Sequence, residues 1–445
     1  MSAGQSLRSI GSAIFVPTRG RENKRMAGRG DSEEEYSMKK KRFVVSLAAA
    51  CSVLLASEPT FAQSWTPTGA ATNFEWQSVA CSADGSKLTA AAFGDGNGNG
   101  GPVYASTNFG ATWTMTNALT NGYWQSVACS TNGDKLVVAA YQDAEDNPGA
   151  LYASTNSGMT WKAPSAPTNF WAAVASSADG TKLVAADSGS GDGLIYTSTN
   201  SGKSWNTTGT PSDFWAAVAS SADGTKLVAA DSGYGDGLIY TSTNSGVAWT
   251  PTRAPVNQWS SVASSADGAR LAAANAGIGD DLIYTSTDSG ATWTPTTAPV
   301  NQWSAVTSSA DGTTLVAADS GYGDGLIYIS TNSGGFWSPT AAPVEFWTSV
   351  ASSADGSRLA ASSNPGGIHT WQLIPVLDIV PSSGSLFISW PATSSTTGFA
   401  LQENSNLATP NWVAVTNAPA LTNELNQVVV PLPLDGNQFY RLKGP

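Results

Sequence analysis

The chain has 445 residues, only 12 % of them charged, and carries 33 acidic against 21 basic side chains. This length exceeds what one ordinary hydrophobic core accommodates, so we expect a large domain with smaller segments beside it. Abundant Gly and few charged residues are typical of short strands joined by tight turns, which excludes a protein built of long amphipathic helices.

An export signal is predicted near the N-terminus. Residues 38–42 are Met followed by four basic residues, residues 43–56 are mostly apolar, and Thr60, Phe61 and Ala62 complete the pattern. Cleavage is expected after Ala62, so 38–62 is the signal peptide, Met38 is the start, and 1–37 is an upstream extension outside the mature protein. Lipidation at Cys51 is the alternative. Both predict a secreted, periplasmic or cell-surface protein.

The predicted mature chain, residues 63–445, is strongly acidic. It keeps 11 basic and 27 acidic residues, a formal net charge near −16. Such a surface excludes nucleic acid as the expected partner, whereas extracellular proteins, neutral glycans and cations stay candidates. No other apolar stretch reaches about 18 residues, so we expect a protein that does not span a membrane. We also expect a monomer.

A tryptophan-led repeat dominates the chain after the signal. The segment Trp-Gln-Ser-Val-Ala that begins at Trp76 recurs in related form from Trp124, Trp171, Trp215, Trp259, Trp303 and Trp347. The last five copies are each 44 residues apart, and this period suits one propeller blade of four short strands. Each Trp opens the first strand with strict periodicity, so we expect packing between blades rather than a ring that stacks on glycans.

The unit from Trp215 shows the four predicted strands of a blade. They cover residues 215–220, 226–230, 238–242 and 249–252, with a turn at 222–224 and a Gly-rich loop at 231–237. One such sheet cannot bury both of its faces, but radial stacking of several sheets buries them and leaves no long open edge.

The strand count predicts how the ring closes. A fourth-strand sequence at residues 65–68 precedes the first blade, whereas the last blade, with strands at 347–353, 358–362 and 368–371, lacks one. The fold class is therefore all-β, with a seven-bladed β-propeller over residues 63–373 closed by its N-terminal strand. Cys81 and Cys129 occupy one position of neighbouring blades, and whether they pair stays open.

A second motif lies between the third and fourth strands of a blade, first as Ser106-Thr-Asn-Phe-Gly-Ala-Thr-Trp113. Asn or Asp folds back on the turn amides, Gly accepts a left-handed conformation and Trp covers the hairpin. The predicted structural residues are Asn108, Gly110, Trp113, Asn156, Gly158, Trp161, Asn200, Gly202, Trp205, Asn244, Gly246, Trp249, Asp288, Gly290, Trp293, Asn332, Gly334 and Trp337.

This motif resembles the Asp-box (BNR repeat), the Ser-x-Asp-x-Gly-x-Thr-Trp hairpin of sialidase-like propellers. The same box occurs in photosystem II assembly factors, sortilin-type receptors and xyloglucanases. All copies except the one with Asp288 carry Asn where the box has Asp. The resemblance implies a propeller of this superfamily, and it indicates no function because the box is a structural element in enzymes and non-enzymes alike.

Residues 374–445 are predicted to form a small β-sandwich-like module. Strand patterns cover 385–390, 398–402, 412–415, 427–430 and 439–442.

The candidate ligand surface is the propeller face that carries the loops between second and third strands and the links between blades. Its neighbouring aromatic and amide residues are Phe170, Phe214, Gln258, Gln302 and Phe346. The ligand-binding candidates are Asp187, Asp192, Asp231, Tyr234, Asp236, Asp280, Asp319, Tyr322 and Asp324.

Paired carboxylates in these Gly-rich loops suggest weak calcium candidates at Asp187, Asp192, Asp231 and Asp236. Asp and Gly are also ordinary turn formers, and the spacing is not that of an EF-hand loop, so turn formation is the favoured interpretation. No other cofactor is expected.

The sequence argues against sialidase activity. The resemblance implies that a sialidase needs three converging arginines, whereas the propeller holds Arg253, Arg270 and Arg358, the last two in turns of the opposite face. The single His369 excludes His-based triads and His-rich metal sites, and no catalytic residue is assigned.

We therefore favour a non-catalytic extracellular or periplasmic scaffold that binds a protein or a glycan. The alternatives are a glycoside hydrolase or lyase on neutral polysaccharide, which needs only two suitably spaced carboxyl groups, and an envelope assembly factor.

Overall fold

The computed structural model describes residues 14–16 and 65–443, apart from 118–121, 144, 164–165, 190–191, 234–236, 278–280, 322–323, 373–376, 383–384, 392–398, 407–410, 423–424 and 432–437. These residues form strands numbered in chain order from β1 (Ile14–Val16) to β35 (Gln438–Lys443). None of them belongs to a helix long and apolar enough to cross a membrane. The described residues fall into two compact units, one of residues 65–372 and one of residues 14–16 with 377–443.

The first unit consists of antiparallel sheets that follow one another along the chain, each led by a repeat tryptophan. In chain order they are: β3 (Glu75–Cys81), β4 (Leu88–Gly94), β5 (Val103–Ser106) and β6 (Thr114–Met115); β7 (Tyr123–Cys129), β8 (Leu136–Gln142) and β9 (Leu151–Ser154); β10 (Trp171–Ser176), β11 (Leu183–Asp187), β12 (Ile195–Ser198) and β13 (Asn206–Thr207); β14 (Trp215–Ser220), β15 (Leu227–Asp231), β16 (Ile239–Ser242) and β17 (Thr250–Pro251); β18 (Trp259–Ser264), β19 (Leu271–Asn275), β20 (Ile283–Ser286) and β21 (Thr294–Pro295); β22 (Trp303–Ser308), β23 (Leu315–Asp319), β24 (Ile327–Ser330) and β25 (Ser338–Pro339); and β26 (Trp347–Ser352), β27 (Arg358–Ser363) and β28 (Ile368–Gln372), joined by β2 (Thr66–Pro67).

A closed circle of backbone hydrogen bonds joins the turns between the first and second strands of these sheets. The N–H of each turn donates to the carbonyl oxygen of the turn in the next sheet over 2.7–2.8 Å, and the last turn donates back to the first. The circle runs through Ala83, Thr131, Ala178, Ala222, Ala266, Ala310 and Ala354. The first strands of successive sheets also contact one another, including β26 with β3, so the sheets form a ring.

Strand β2, the first strand of this unit, closes the ring, as the strand count predicts. Thr66 pairs with Thr370 and Pro67 with His369, so β2 is the fourth strand of the last sheet. Trp65 packs between Trp347 and Trp371, with ring centroids 6.1 and 6.4 Å away. The closure therefore combines a short ladder with a buried aromatic contact.

The core of the ring lies between neighbouring sheets. One cluster joins Ala186 and Ile195 of one sheet to Trp215 and Val218 of the next. The tryptophan that leads each sheet is at most 1 % exposed, so these residues pack between sheets and do not form an open stacking surface. A tyrosine of the third strand meets this tryptophan edge-on, as Tyr240 meets Trp215 at 5.5 Å.

The C-terminal unit is a small sandwich of two four-stranded sheets. One sheet has the order β29 (Asp378–Ser382), β30 (Ser385–Pro391), β34 (Leu425–Pro431), β33 (Ala420–Thr422), and the other has the order β1, β35, β31 (Ala400–Asn404), β32 (Val413–Ala414). Leu386, Ile388 and Trp390 of the first sheet pack against Leu401 and Tyr440 of the second. The sandwich-like module is confirmed, and β1, β29 and β33 are additions that the sequence pattern missed.

Strand β1 comes from the stretch predicted to precede the export signal. Ile14 pairs with Tyr440 and Val16 with Gln438, so this strand lies at the edge of one C-terminal sheet. The removal of residues 1–37 from the mature protein stays a prediction.

Candidate functional site

The second-to-third-strand loops and the linkers between sheets are hydrogen-bonded to each other and form one side of the ring, here named the loop face. The Glu345 N–H donates to the Gly325 carbonyl over 3.1 Å, and the Asn257 N–H donates to that of Gly237 over 3.2 Å. Each linker is therefore fixed to the loop of the preceding sheet. The opposite side is named the turn face. It carries the circle of turns and the hairpins between third and fourth strands, named the Ser-Asn hairpins after the motif that begins at Ser106 in the first sheet.

The first Asp of each predicted loop pair closes its own loop. Asp231 and Asp319 are buried, with 2 % and 0 % of their surface exposed. Asp319 accepts the N–H groups of Gly321 and Gly325 at 3.2 and 2.7 Å, and Asp231 accepts that of Gly233 at 2.8 Å. Burial raises the pKa of Asp319, against the opposing effect of these amides. These carboxylates stabilise the loops, and their contact with a ligand stays a prediction.

Asp187 has the same position in the third sheet but is half-buried. Its carboxylate accepts the Gly189 N–H over 3.0 Å. Burial raises the pKa of Asp187, and the nearby Asp192 adds to this effect. Asp192 itself is exposed, so this pair is more accessible than the pair of Asp319 and Asp324.

Asp324 is bonded to the third strand of its sheet. One carboxylate oxygen accepts the Leu326 N–H over 3.0 Å and the other accepts a short hydrogen bond from the Tyr328 hydroxyl. Burial and this hydrogen bond raise the pKa of Tyr328 to about 12. Asp324 thus anchors the loop to the strand.

Four predicted site residues, Tyr234, Asp236, Asp280 and Tyr322, lie outside the described residues. Within the described ranges, no group of three or more His, Cys, Asp or Glu side chains converges on a possible metal position. Calcium at Asp187, Asp192, Asp231 and Asp236 stays a prediction.

On the loop face of the first three sheets, the aromatic residue before a repeat tryptophan packs against an aromatic residue of the preceding sheet. Phe170 lies 5.1 Å from Tyr141, and Tyr123 lies 5.1 Å from Phe93. Phe346 in the last linker is 47 % exposed. The other predicted neighbours, Phe214, Gln258 and Gln302, are partly exposed and accept N–H groups from their own loops through their backbone carbonyls.

The sequence pattern missed a row of exposed valines on the loop face. Val256, Val300 and Val344 are 51, 67 and 74 % exposed, and each follows an Ala-Pro pair in one of three successive linkers. The signal was present in the repeat, because Thr168 and Ser212 occupy the equivalent positions in earlier linkers. We name these three residues the valine row.

The loop face is also acidic. The described carboxyl residues of its loops, linkers and strand ends are Glu75, Asp95, Asp143, Glu145, Asp146, Asp187, Asp192, Asp213, Asp231, Asp281, Asp319, Asp324 and Glu345. The amino-acid sequence of these loops and linkers contains one basic residue, Arg253. The field in front of this face therefore attracts cationic partners.

On the turn face, polar side chains form hydrogen bonds with one another and with the backbone of their own hairpins. In the hairpin with Asn244, its side-chain oxygen accepts the Ser242 hydroxyl and the Ala248 N–H at 2.9 Å, and the Ser242 hydroxyl oxygen accepts the Gly246 N–H at 3.0 Å. Asp288 fills the equivalent position one sheet later, where hydrogen bonds from the hydroxyl and the N–H of Thr292 and from the Ser286 hydroxyl lower its pKa to about 2. The same pattern holds in the copies of Asn108, Asn156, Asn200 and Asn332.

Basic side chains of the turns contact the hairpin of the following sheet. Lys135 donates to Ser201 over 3.2 Å, Arg270 donates to Ser333 over 2.6 Å, and Arg358 lies over the ring of Phe109. Arg270 and Arg358 therefore lie on the turn face, apart from Arg253, which is in a linker of the loop face. The three arginines do not converge.

His369 lies in the third strand of the last sheet, where the other sheets have Tyr. It meets Trp347 edge-on at 5.4 Å, and its Nε2 is 3.9 Å from a Glu345 carboxylate oxygen. The same carboxylate accepts a short hydrogen bond from Ser363, which is fully buried. Burial lowers the pKa of His369, against the effect of Glu345. The serine bonds the carboxylate rather than the imidazole, so this group is not a nucleophilic triad.

Cys81 and Cys129 are both free thiols in the structure. The Cys129 thiol donates to the Cys81 carbonyl over 3.0 Å. Burial raises the pKa of Cys129 to about 12, so this side chain is not a reactive thiolate.

Four-stranded sheets packed radially into a closed ring define a β-propeller, and that is the class of this protein's larger unit. No protein-family model matches the sequence, and no curated protein matches it. Among the solved structures that are similar is one described as YCF48 bound to D1 peptide, with a TM-score of 0.52 and 13 % identity. The match covers 70 % of this chain and 95 % of that one, and at this identity the likeness shows the fold.

Proposed function

We propose that the protein is an exported, non-catalytic binding protein of the Asp-box propeller type, whose loop face engages another protein. The valine row carries this proposal. An exposed apolar side chain repeated in three successive linkers has no use in the fold, because Thr168 and Ser212 serve at equivalent positions. Recurrent exposed apolar residues rimmed by polar ones are typical of interaction surfaces.

Two further observations support this choice. The polar groups of the turn face are largely occupied by hydrogen bonds within and between sheets, which leaves the loop face as the more available surface. The YCF48 structure, similar in fold, is described as bound to a peptide, so this fold serves peptide binding in at least one other protein. Aliphatic side chains also suit apolar groups of a polypeptide, whereas glycans stack on aromatic rings.

Site-specific photocrosslinking tests the proposal. A photoreactive amino acid replaces Val300, which is 67 % exposed on the loop face, or Val247, which is 78 % exposed on the turn face and serves as the control. Each variant is exposed to an envelope and culture-fluid extract of its source. We expect a discrete protein crosslink from Val300 and none of that size from Val247.

The opposite result also has a clear meaning. Equal crosslinking from both positions, or none from Val300, contradicts the loop face as a protein-binding surface. Binding of the protein to a glycan array, with no protein crosslink, supports the glycan-binding alternative. Turnover of a polysaccharide that is lost in Asp192→Asn contradicts a non-catalytic function.

A further inference from the structure

The valine row differs from its counterparts in the repeat only in being apolar. Thr168 and Ser212, at the equivalent positions, are exposed as well. This position is therefore exposed in five successive linkers, and in the last three of them the exposed side chain is apolar. Burial of such side chains in a complex is favourable in proportion to the apolar surface that is removed from water.

The backbone under the valine row is fixed on both sides. Ala254, Ala298 and Ala342, two residues before each Val, are buried in the core between sheets. The residue after each Val donates its N–H to the loop of the preceding sheet, as Asn257, Asn301 and Glu345 do. A surface held in this way loses little conformational entropy when it binds, so its apolar area contributes directly to affinity.

Carboxylates flank the row. The second linker is hydrogen-bonded to the loop residue Asp281 through the Asn301 N–H. The third linker is hydrogen-bonded to Gly325, which follows Asp324. Glu345 follows Val344 directly. The exposed Arg253 lies in the first linker, three residues before Val256, so the negative charge is concentrated around Val300 and Val344. A segment that covers these two valines brings its own polar side chains near the carboxylates. Cationic side chains are attracted there and acidic ones are repelled.

We propose that the valine row is a docking surface for an extended polypeptide segment that presents both apolar and basic side chains to it. This inference rests on the proposed function and names the chemistry of its partner. The row follows the ring over three successive linkers, so a segment that meets all three valines is extended along it. Its apolar side chains contact the valines and its lysines or arginines face the carboxylates.

A defined probe tests the proposal without knowledge of the natural partner. The probe is a short, end-capped, fluorescent peptide in which pairs of lysines and pairs of valines follow one another, so that each side of the extended chain carries both residues. Its binding to the protein is followed by fluorescence anisotropy. Two further peptides, one with glutamate in place of lysine and one with serine in place of valine, serve as probes of charge and apolarity. We expect the lysine-valine peptide to bind at least about tenfold more tightly than either.

The matched variants use residues that the repeat itself offers. The triple variant V256S/V300S/V344S adopts the residue found at Ser212, and we expect it to weaken the lysine-valine peptide at least about tenfold with an unchanged thermal unfolding midpoint. The reciprocal variant S212V lengthens the row by one valine and is expected to strengthen binding. Unchanged affinity in the triple variant, or equal binding of the glutamate-valine peptide, overturns the inference.

The two proposals fail separately. A protein crosslink from Val300 together with no binding of the lysine-valine peptide contradicts this inference but leaves a protein-binding loop face. The absence of any loop-face crosslink contradicts the proposed function itself. Peptide binding that survives in the triple variant but is lost on D192N shows a different part of the face and also overturns the valine row as its site.

Discussion

The glycine of each Ser-Asn hairpin sets how closely neighbouring sheets approach. Gly246 has φ of +85°, and a Cβ placed on it would lie 2.8 Å from Thr197 Cγ2 and 3.2 Å from Thr208 Cγ2 of the preceding sheet. We expect Gly246→Ala to lower the free energy of unfolding by at least about 1 kcal/mol through this contact and the left-handed backbone. Urea unfolding of both proteins measures it.

Gly209 supplies the control for this substitution. Its φ is not in the left-handed region, and the nearest atom to an added Cβ is the Val247 carbonyl oxygen at 3.8 Å. Gly209→Ala is expected to change the free energy of unfolding by no more than about 0.5 kcal/mol, or to raise it slightly. Equal losses in both variants would contradict the close approach at Gly246.

His369 gives the last sheet a dependence on pH. Because burial lowers the pKa of His369 in the folded protein, the unfolded chain binds the proton more readily. The stability is therefore present above about pH 6.5 and is lost as pH falls through that value towards the lower folded pKa. His369→Tyr restores the residue found in the other sheets, as at Tyr328, and is expected to remove this loss.

Thermal unfolding of the two proteins between about pH 7.5 and about pH 5 measures the effect. We expect the midpoint of the wild-type protein to fall further than that of His369→Tyr over this range. The titration of the other groups is common to both proteins, so it cancels in the comparison. Parallel curves would contradict the pKa shift of His369.

At the scale of the strand, β2 closes the ring with a ladder of only two residue pairs. Most of its contribution is the burial of Trp65, which is 5 % exposed, lies between two tryptophans and donates its indole N–H to the Thr340 hydroxyl over 2.9 Å. We expect Trp65→Ala to lower the free energy of unfolding by about 3–5 kcal/mol, as for other buried aromatic residues. Denaturant unfolding monitored by circular dichroism measures this loss.

Val247→Ala is the control, because this side chain is 78 % exposed on the turn face. It is expected to stay within about 0.5 kcal/mol of the wild-type protein. A stability of Trp65→Ala equal to that of Val247→Ala would mean that the ring does not depend on its N-terminal strand.

The strands of the ring were largely predictable because the tryptophan repeat fixes their register. Trp215 marks both the predicted and the observed start of its sheet, and the missing fourth strand of the last blade pointed to residues 65–68. The second sheet departs from the pattern, since its fourth strand is reduced to a bridge between Ala153 and Lys162. Residues 378–382 were missed because this strand is mostly exposed and shows no clear alternation.

The roles of the loop carboxylates were less predictable. Asp231 and Asp319 follow buried strands and precede glycines, a pattern shared by exposed ligand-binding loops and by loops that close on their own carboxylate. Only the path of the loop decides that amides such as Gly325 N–H are directed at the Asp319 side chain. The valine row, by contrast, was readable from the repeat, because a position that accepts Thr168 and Ser212 is a surface position.

On the scale of the whole molecule, the two faces of the ring have different electrostatics. The turn face mixes signs: Lys87 contacts Asp134 at 2.5 Å, and the turn carboxylates such as Asp179 and Asp223 accept hydroxyl and amide groups of their own turns. The loop face combines many carboxylates with Arg253 as the basic residue of its loops and linkers. Attraction of a cationic partner is therefore directed to the face that also carries the valine row.

This separation of charge and apolar area makes a prediction about salt. Raising the NaCl concentration from about 50 to about 500 mM shortens the screening length from roughly 14 to roughly 4 Å, so the affinity for the lysine-valine peptide is expected to fall. The valines contribute by burial, which salt does not screen. The factor by which V256S/V300S/V344S weakens binding is therefore expected to be similar at both concentrations, as anisotropy titrations of both proteins would measure. A factor that disappears at high salt would mean that the substitutions act on the field of the carboxylates and not on an apolar contact.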